Sequence, residues 1–260
     1  LARIAGVVVY TVAVYRRFSF NWGSFGFSRA LIVPLCVSGS WISVSNIISP
    51  LMGYADRFLI GTIISTEAVA YYATPNEIVT KLWIIPGALT AVLFPTFAAH
   101  GAQKISMTRE LFDRAVHWLF VILLPIALTL SLFSFEILSL WVGSEFAKQS
   151  ATLLQIFSIG ILVNSLAHVP FTLIQGMGAA RLTALIHVCM FPVYIPVLWW
   201  ATTNFGSLGT ATAWLLRILI DMGLMFAVSS RFIDRHPTDF IGWRSLGLAL
   251  LGAAAFSGAM

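Results

Sequence analysis

Charge is scarce in this chain. Of its 260 residues only 10% are Asp, Glu, Lys or Arg, whereas 59% are hydrophobic; a soluble domain carries about 25% charged residues. With a mean hydropathy of +0.91, a water-soluble globule of this length could not hide so much apolar surface. A polytopic membrane protein is expected. Cysteine is nearly absent as well. Cys36 and Cys189 lie in apolar runs with no CxxC and no adjacent His, so neither a disulfide framework nor a metal site is implied. There is also no GxSxG elbow, no HExxH, no Walker loop and no aspartate-rich cluster, which removes the usual signatures of catalysis and of a bound cofactor. The loops between apolar runs are short, so an integral-membrane enzyme is disfavoured. No Met opens the chain and no signal peptide precedes the first apolar run, so a piece of a longer protein, lacking an N-terminal portion, is expected.

What is present is a succession of apolar runs. Leu1 to Tyr15 reads as the end of a spanning helix, closed by Arg16 and Arg17 and followed by a Phe-, Gly- and Ser-rich loop, Phe18 to Ser28. Ala30 to Ile60 and Ala68 to Ala99 are long enough to span, the first with Pro34 and Pro50 inside it, the second interrupted by Pro75, Pro86 and Pro95. Further spans are expected at Ala115–Phe135, Ser150–Gln175, Leu182–Ala201 and Thr210–Ser230, with turns at Gly176–Gly178 and Asn204–Gly209. The last run, Ser245 to Met260, falls short of the ~20 residues a bilayer crossing needs. The expected fold class is an all-α, polytopic membrane helical bundle with about 7–8 transmembrane segments.

Loop charges test this layout independently. Alternating the loops puts Arg16, Arg17, Arg29, Lys104, Arg109, Arg114, Arg181, Arg231, Arg235 and Arg244 on one side, and only Lys148 on the other. The positive-inside rule assigns the basic side to the cytoplasm. A net charge of +5 thus reads as a topology signal and not as a nucleic-acid footprint.

Ionisable residues inside the apolar runs are the functional clue. Asp56, Arg57, Glu67, Glu77 and Lys81 sit between Arg29 and His100, and Arg217 and Asp221 lie in a later span. Each such group costs roughly 2.5–3.5 kcal/mol at the bilayer centre unless it faces a bundle interior, a wet cavity or a partner. Asp56 neighbours Arg57, while Glu77–Lys81 and Arg217–Asp221 are four apart and share a helix face. Each acid–base pair could therefore simply neutralise itself, or it could line a polar interior.

The run Gly53-Tyr-Ala-Asp-Arg-Phe-Leu-Ile-Gly61, then Ala70-Tyr-Tyr-Ala-Thr-Pro75, Ile84-Ile-Pro86 and Leu93-Phe-Pro95, resembles the polysaccharide-exporter flippases. These belong to the multidrug/oligosaccharidyl-lipid/polysaccharide exporter superfamily. The resemblance is specific over about Arg29 to His100 and downstream rests on helix pattern. It implies a MATE-like second lobe: residues 1–28 as the end of a linker-side helix with a cytoplasmic inter-lobe loop, 29–244 as a six-helix lobe, and 245–260 as the start of a truncated further helix. It implies a bacterial inner-membrane transporter that flips an undecaprenyl-diphosphate-linked oligosaccharide to the outer leaflet by ion-coupled alternating access. The partners implied are that polyprenyl-diphosphate-linked glycan, the lipid bilayer, a missing N-terminal lobe, and a polysaccharide polymerase or glycosyltransferases.

On that reading Arg57, Lys81 and Arg217 are candidate contacts for the anionic head group, because Arg offers a planar donor fork to phosphate and Lys a compact charge. Asp56, Glu77 and Asp221 would hold those cations or exchange protons or Na⁺. Pro50, Pro75, Pro86 and Pro95 are candidate helix hinges. A drug/cation antiporter or a lipid II flippase of the same superfamily remains an alternative, as does an integral-membrane enzyme acting on polyprenyl-diphosphate lipids. The blander readings concern other residues. Glu67 and Glu136 suit an interface, and His117 and His187 suit packing. His168 beside Pro170 reads as packed or hydrogen-bonded before it reads as a relay. Asn46, Asn76 and Asn164 either line a cavity or cross-link helices.

Overall fold

The computed structural model describes residues 2–17, 29–100 and 104–234. The loop 18–28 and the final run 245–260, for which expectations were set, lie outside the described residues. Every regular element among the described residues is helical. Two compact units part between Gly39 and Ser40. The first holds α1 (Ala2–Arg17), whose last turn carries Arg16 and Arg17 where the helix dipole favours cations. It also holds the opening turns of α2 (Arg29–Ile63), which continues through Pro50 without a break.

From Ser40 onward the second unit comprises the rest of α2 followed by α3 (Thr66–Thr80), α4 (Ile84–His100), α5 (Ile105–Leu132), α6 (Ser134–Trp141), α7 (Ser144–Gly176) and α8 (Ala180–Ser229). Ser65 caps α3, its hydroxyl accepting from the Ala68 N–H at 3.1 Å, as an N-cap residue does. The segment expected to be interrupted at three prolines breaks once, in the 3₁₀ turn Lys81–Trp83. Pro86 is the cause. It has no N–H to offer the Leu82 carbonyl, and instead the Ile84 N–H turns back to Leu82 and Lys81. Helix α3 runs through Pro75 because the Tyr71 carbonyl, freed by that proline, accepts the Ser150 hydroxyl of α7 at 3.0 Å.

Helix α8 conceals a reversal. Gly206 has φ 62° and ψ −148°, a combination open essentially to glycine alone. In one straight helix Tyr194 and Arg217 would lie roughly 35 Å apart. Yet the Arg217 guanidinium sits 5.2 Å from the Tyr194 ring, and the Thr202 and Thr210 hydroxyls are 2.9 Å apart. The element is therefore a helical hairpin with arms 180–205 and 207–229. Gly209 permits the closure, because a Cβ there would fall 2.2 Å from the Ala201 carbonyl oxygen.

Four helical stretches among the described residues are long and apolar enough to cross a membrane: Thr66–Ala99, Ile105–Leu132, Ser144–Gly176 and Ala180–Phe232. The third is the central post. Its most apolar window is 72% buried against 17–28% for the others, and it packs on α3, α4, α5, α6 and α8. The others present their exposed apolar side chains, such as Ile84, Val92, Trp118 and Val193, to what must be lipid, since water would penalise them. This is a multi-pass membrane protein. Two cores result. A large one gathers α3 to α8 and Ile60 of α2 around α7, and a small one joins Met52 of α2 to Tyr194, Leu198, Ala201 and Ala213 of the hairpin.

Candidate functional site

Between those two cores lies a polar cluster. Asp56 and Arg57 follow Met52 of the small core by one turn and precede Ile60 of the large core by another. Helix periodicity thus carries Asp56 inward, where it is 2% exposed. Both of its oxygens are engaged. Oδ2 accepts the Tyr72 hydroxyl at 2.7 Å, and Oδ1 accepts the Arg57 backbone N–H at 2.7 Å. Tyr72 is fully buried on α3 and is fixed edge-on against Phe157 of α7 at 5.0 Å. Phe157 in turn meets Trp214 of the hairpin at 5.3 Å, whose indole fills the space that a side chain at Gly160 would need. An aromatic ladder across three helices therefore aims the tyrosine at the carboxylate.

Two cations lie near enough for their charge to act on that carboxylate. The Arg57 Nη2 donates to the Asn76 carbonyl oxygen at 3.1 Å, and its guanidinium lies 5.7 Å from the Tyr54 ring. Arg217, on the second arm of α8, stacks on Tyr194 and lies near enough for its charge to act on Asp56. Such cation–π contacts gain strength when desolvated. The Nε–H groups of both arginines are buried with no hydrogen-bond acceptor. A buried donor left unmade is costly, so both guanidiniums retain a direction in which an anionic oxygen would be welcome.

One turn beyond Arg217, Asp221 turns to the first arm, its Oδ1 lying 3.5 Å from Nε2 of His187. His187 is 6% exposed and stacks on Phe171 of α7, ring centroids 6.1 Å apart. His168 of α7 lies close enough to feel the Asp221 charge.

The remaining sequence candidates fall elsewhere. Glu77 and Lys81 are both exposed at the end of α3. Ion pairs are seen instead at Arg114–Glu110, Lys148–Glu145 and His187–Asp221. Neither expected i,i+4 pair therefore closes. Exposed pairs of that spacing gain only about 0.2–0.5 kcal/mol, so little separates the closed Glu110–Arg114 from the open Glu77–Lys81, and in the hairpin better partners intervene. Asn76 ties to Arg57, and Asn164 accepts the Trp83 indole N–H at 3.1 Å, so both cross-link helices. Glu67 is exposed and accepts the Tyr71 hydroxyl at 2.7 Å. Tyr72, Tyr194 and His187 were not singled out as functional by sequence reasoning. A tyrosine or histidine in an apolar helix reads as core until the helix that faces it is known. No group of three or more His, Cys, Asp or Glu residues suited to a metal occurs among the described residues.

Comparison with known proteins agrees with the architecture. The family described as polysaccharide biosynthesis protein matches residues 1–151, more than half of this chain. A protein of Shigella flexneri named "Putative O-antigen transporter" is 32% identical over 224 residues, which is 86% of this chain and 53% of the relative. The chain thus spans about half the length of the curated relative it matches. No solved structure matches it.

Proposed function

This chain belongs to the polysaccharide biosynthesis protein family, and on that premise we propose that it serves as the second lobe of a membrane flippase. The cargo is an undecaprenyl-diphosphate-linked oligosaccharide, moved from the inner to the outer leaflet of a bacterial inner membrane. In this reading the helices from α2 onward form the MATE-like lobe, within a bundle of about 7–8 spans. The name of the Shigella flexneri relative supports a transporter and not an enzyme. A polymerase or glycosyltransferases would supply and consume the glycan on either side.

The observation that carries the proposal is the pair of arginines around Asp56, drawn from α2 and from the far arm of α8, with both Nε–H groups unpaired. A guanidinium binds phosphate through parallel N–H donors, and inside an apolar bundle such a contact is screened far less than in water. Asp56 acts as a strut and not as an ion carrier, because Tyr72 and the Arg57 N–H already occupy its oxygens. Lys81, exposed and apart from the pair, adds attraction for a diphosphate from the lobe surface. The break at Lys81–Trp83 before Pro86 supplies the flexure for alternating access, and Pro50, Pro75 and Pro95 lie in helices that stay continuous.

The test is complementation by the complete gene product that carries this chain, in a bacterium lacking its own glycolipid flippase. Surface polysaccharide is read on gels and protein abundance by immunoblot. Arg57→Ala and Arg217→Ala should each reduce surface polysaccharide roughly tenfold or more at normal abundance. Normal display in both would remove the proposal.

A further inference from the structure

We propose that His187 and Asp221 bind the proton that drives transport, the imidazole taking it up and the carboxylate holding it. This deepens the transport reading above and rests on it. The two residues come from opposite arms of the α8 hairpin, and their facing atoms are 3.5 Å apart. No hydrogen bond joins them in this geometry, and Nδ1 of His187 has no acceptor either. The imidazole is shielded, since His187 is 6% exposed and lies against Phe171, and the Asp221 side chain is 14% exposed.

Position in the hairpin gives the pair its leverage. The arms reverse at Gly206, and His187 and Asp221 lie roughly 20–30 Å along them from that turn, near the open end. A small change in the angle between the arms moves this end most. An imidazolium facing a carboxylate in an apolar setting closes it, and loss of the proton withdraws the attraction. The proton enters on Nε2 from one aqueous side and leaves the same atom to the other, so no other bond is made or broken.

The groups that bear on His187 are few. Asp221 faces it from the second arm, and His168 of α7 lies near enough to feel the Asp221 charge. Arg217 is turned toward Tyr194 and Asp56, and beside Asp56 stands Arg57 on α2. On its own arm Arg181 is occupied by the Trp41 ring at 5.6 Å. Asp221 is thus left to the imidazole. An alkali cation would need a shell of oxygen ligands, whereas a ring nitrogen faces this carboxylate. The chemistry fits a proton.

Two measurements on the complete gene product carrying this chain test the idea. In detergent, proton uptake after an acid jump is followed with a pH-sensitive dye. Asp221→Asn should reduce the uptake, His187→Gln should remove one proton from it, and His117→Gln should leave that proton in place. Unchanged titration in both Asp221→Asn and His187→Gln would overturn the proposal. This readout uses no glycolipid and stands even if the cargo is misassigned. In proteoliposomes containing undecaprenyl-diphosphate oligosaccharide, a pH gradient should drive accumulation in one leaflet by the unmodified protein, while His187→Gln only equilibrates the lipid. If the unmodified protein, which needs no variant to fold, responds to a Na⁺ gradient at equal pH and ignores a pH gradient, the proton assignment falls. If no lipid moves under any gradient while the titration behaves as stated, the cargo is wrong and the proton site survives.

Discussion

Two pairs with the same spacing met opposite fates. Glu77–Lys81 and Arg217–Asp221 each place an acid and a base four residues apart on a helix. The first pair stays exposed at the end of α3, unjoined. The second is divided between partners from other elements, Arg217 over Tyr194 and near Asp56, and Asp221 against His187. Spacing supplies the opportunity for a contact, and desolvation decides which contact is worth making. On an exposed face water competes with every partner. In the hairpin, packing has removed the water, and a stacked ring or a facing imidazole wins over a neighbour on the same helix.

The contrast can be broken most drastically at the hairpin. Gly209→Val puts a side chain into the Ala201 carbonyl, 2.2 Å from its oxygen at the first carbon, an overpacking cost of about 3 kcal/mol or more. Membrane abundance should fall at least tenfold. In protein that survives, cysteines introduced at Thr202 and Thr210, whose hydroxyls are 2.9 Å apart, should no longer cross-link. Abundant Gly209→Val protein with that cross-link intact would contradict the hairpin.

The next largest effect compares cations. Arg217→Ala should reduce surface polysaccharide roughly tenfold to a hundredfold, the effect of losing about 1.5–3 kcal/mol of hydrogen bonding to a charged group. Arg217→Lys should restore little, because the flat fork is lost. Lys81→Ala should cost only a few-fold, and equal losses at Lys81 and Arg217 would erase the distinction between them.

Adjacent tyrosines sharpen the comparison further. Tyr72→Phe strips a buried carboxylate oxygen of its 2.7 Å donor and should destabilise by about 1–3 kcal/mol, seen as a lower melting temperature in detergent. Tyr71→Phe removes a bond of equal length to exposed Glu67 and should leave the melting temperature unchanged. Smallest of all, Glu77→Gln should shift neither melting nor abundance.

Much of the fold was legible. The turn expected at Asn204–Gly209 is the reversal at Gly206, and the apolar runs expected to span correspond to long helices. Boundaries moved where polar residues occupy the ends of long helices: α5 begins at Ile105, before the expected Ala115, and α7 begins at Ser144, before the expected Ser150. Helices that project beyond the hydrocarbon do not need apolar termini. The site was legible in its acids and bases, because charge is conspicuous in so apolar a chain. It was not legible in Tyr72, Tyr194 or His187, whose roles depend on a face presented by another helix.

By itself the sequence determined that this chain is a helical membrane protein, which runs are apolar, and which ionisable groups lie inside them. Those properties are set by composition and by distance along the chain, which the solvent preferences of each residue translate directly into structure. Only the tertiary structure decided that Asp56 answers to Tyr72 and Asp221 to His187. A buried charge takes the partner that close packing delivers, and packing between distant segments is written in no local pattern.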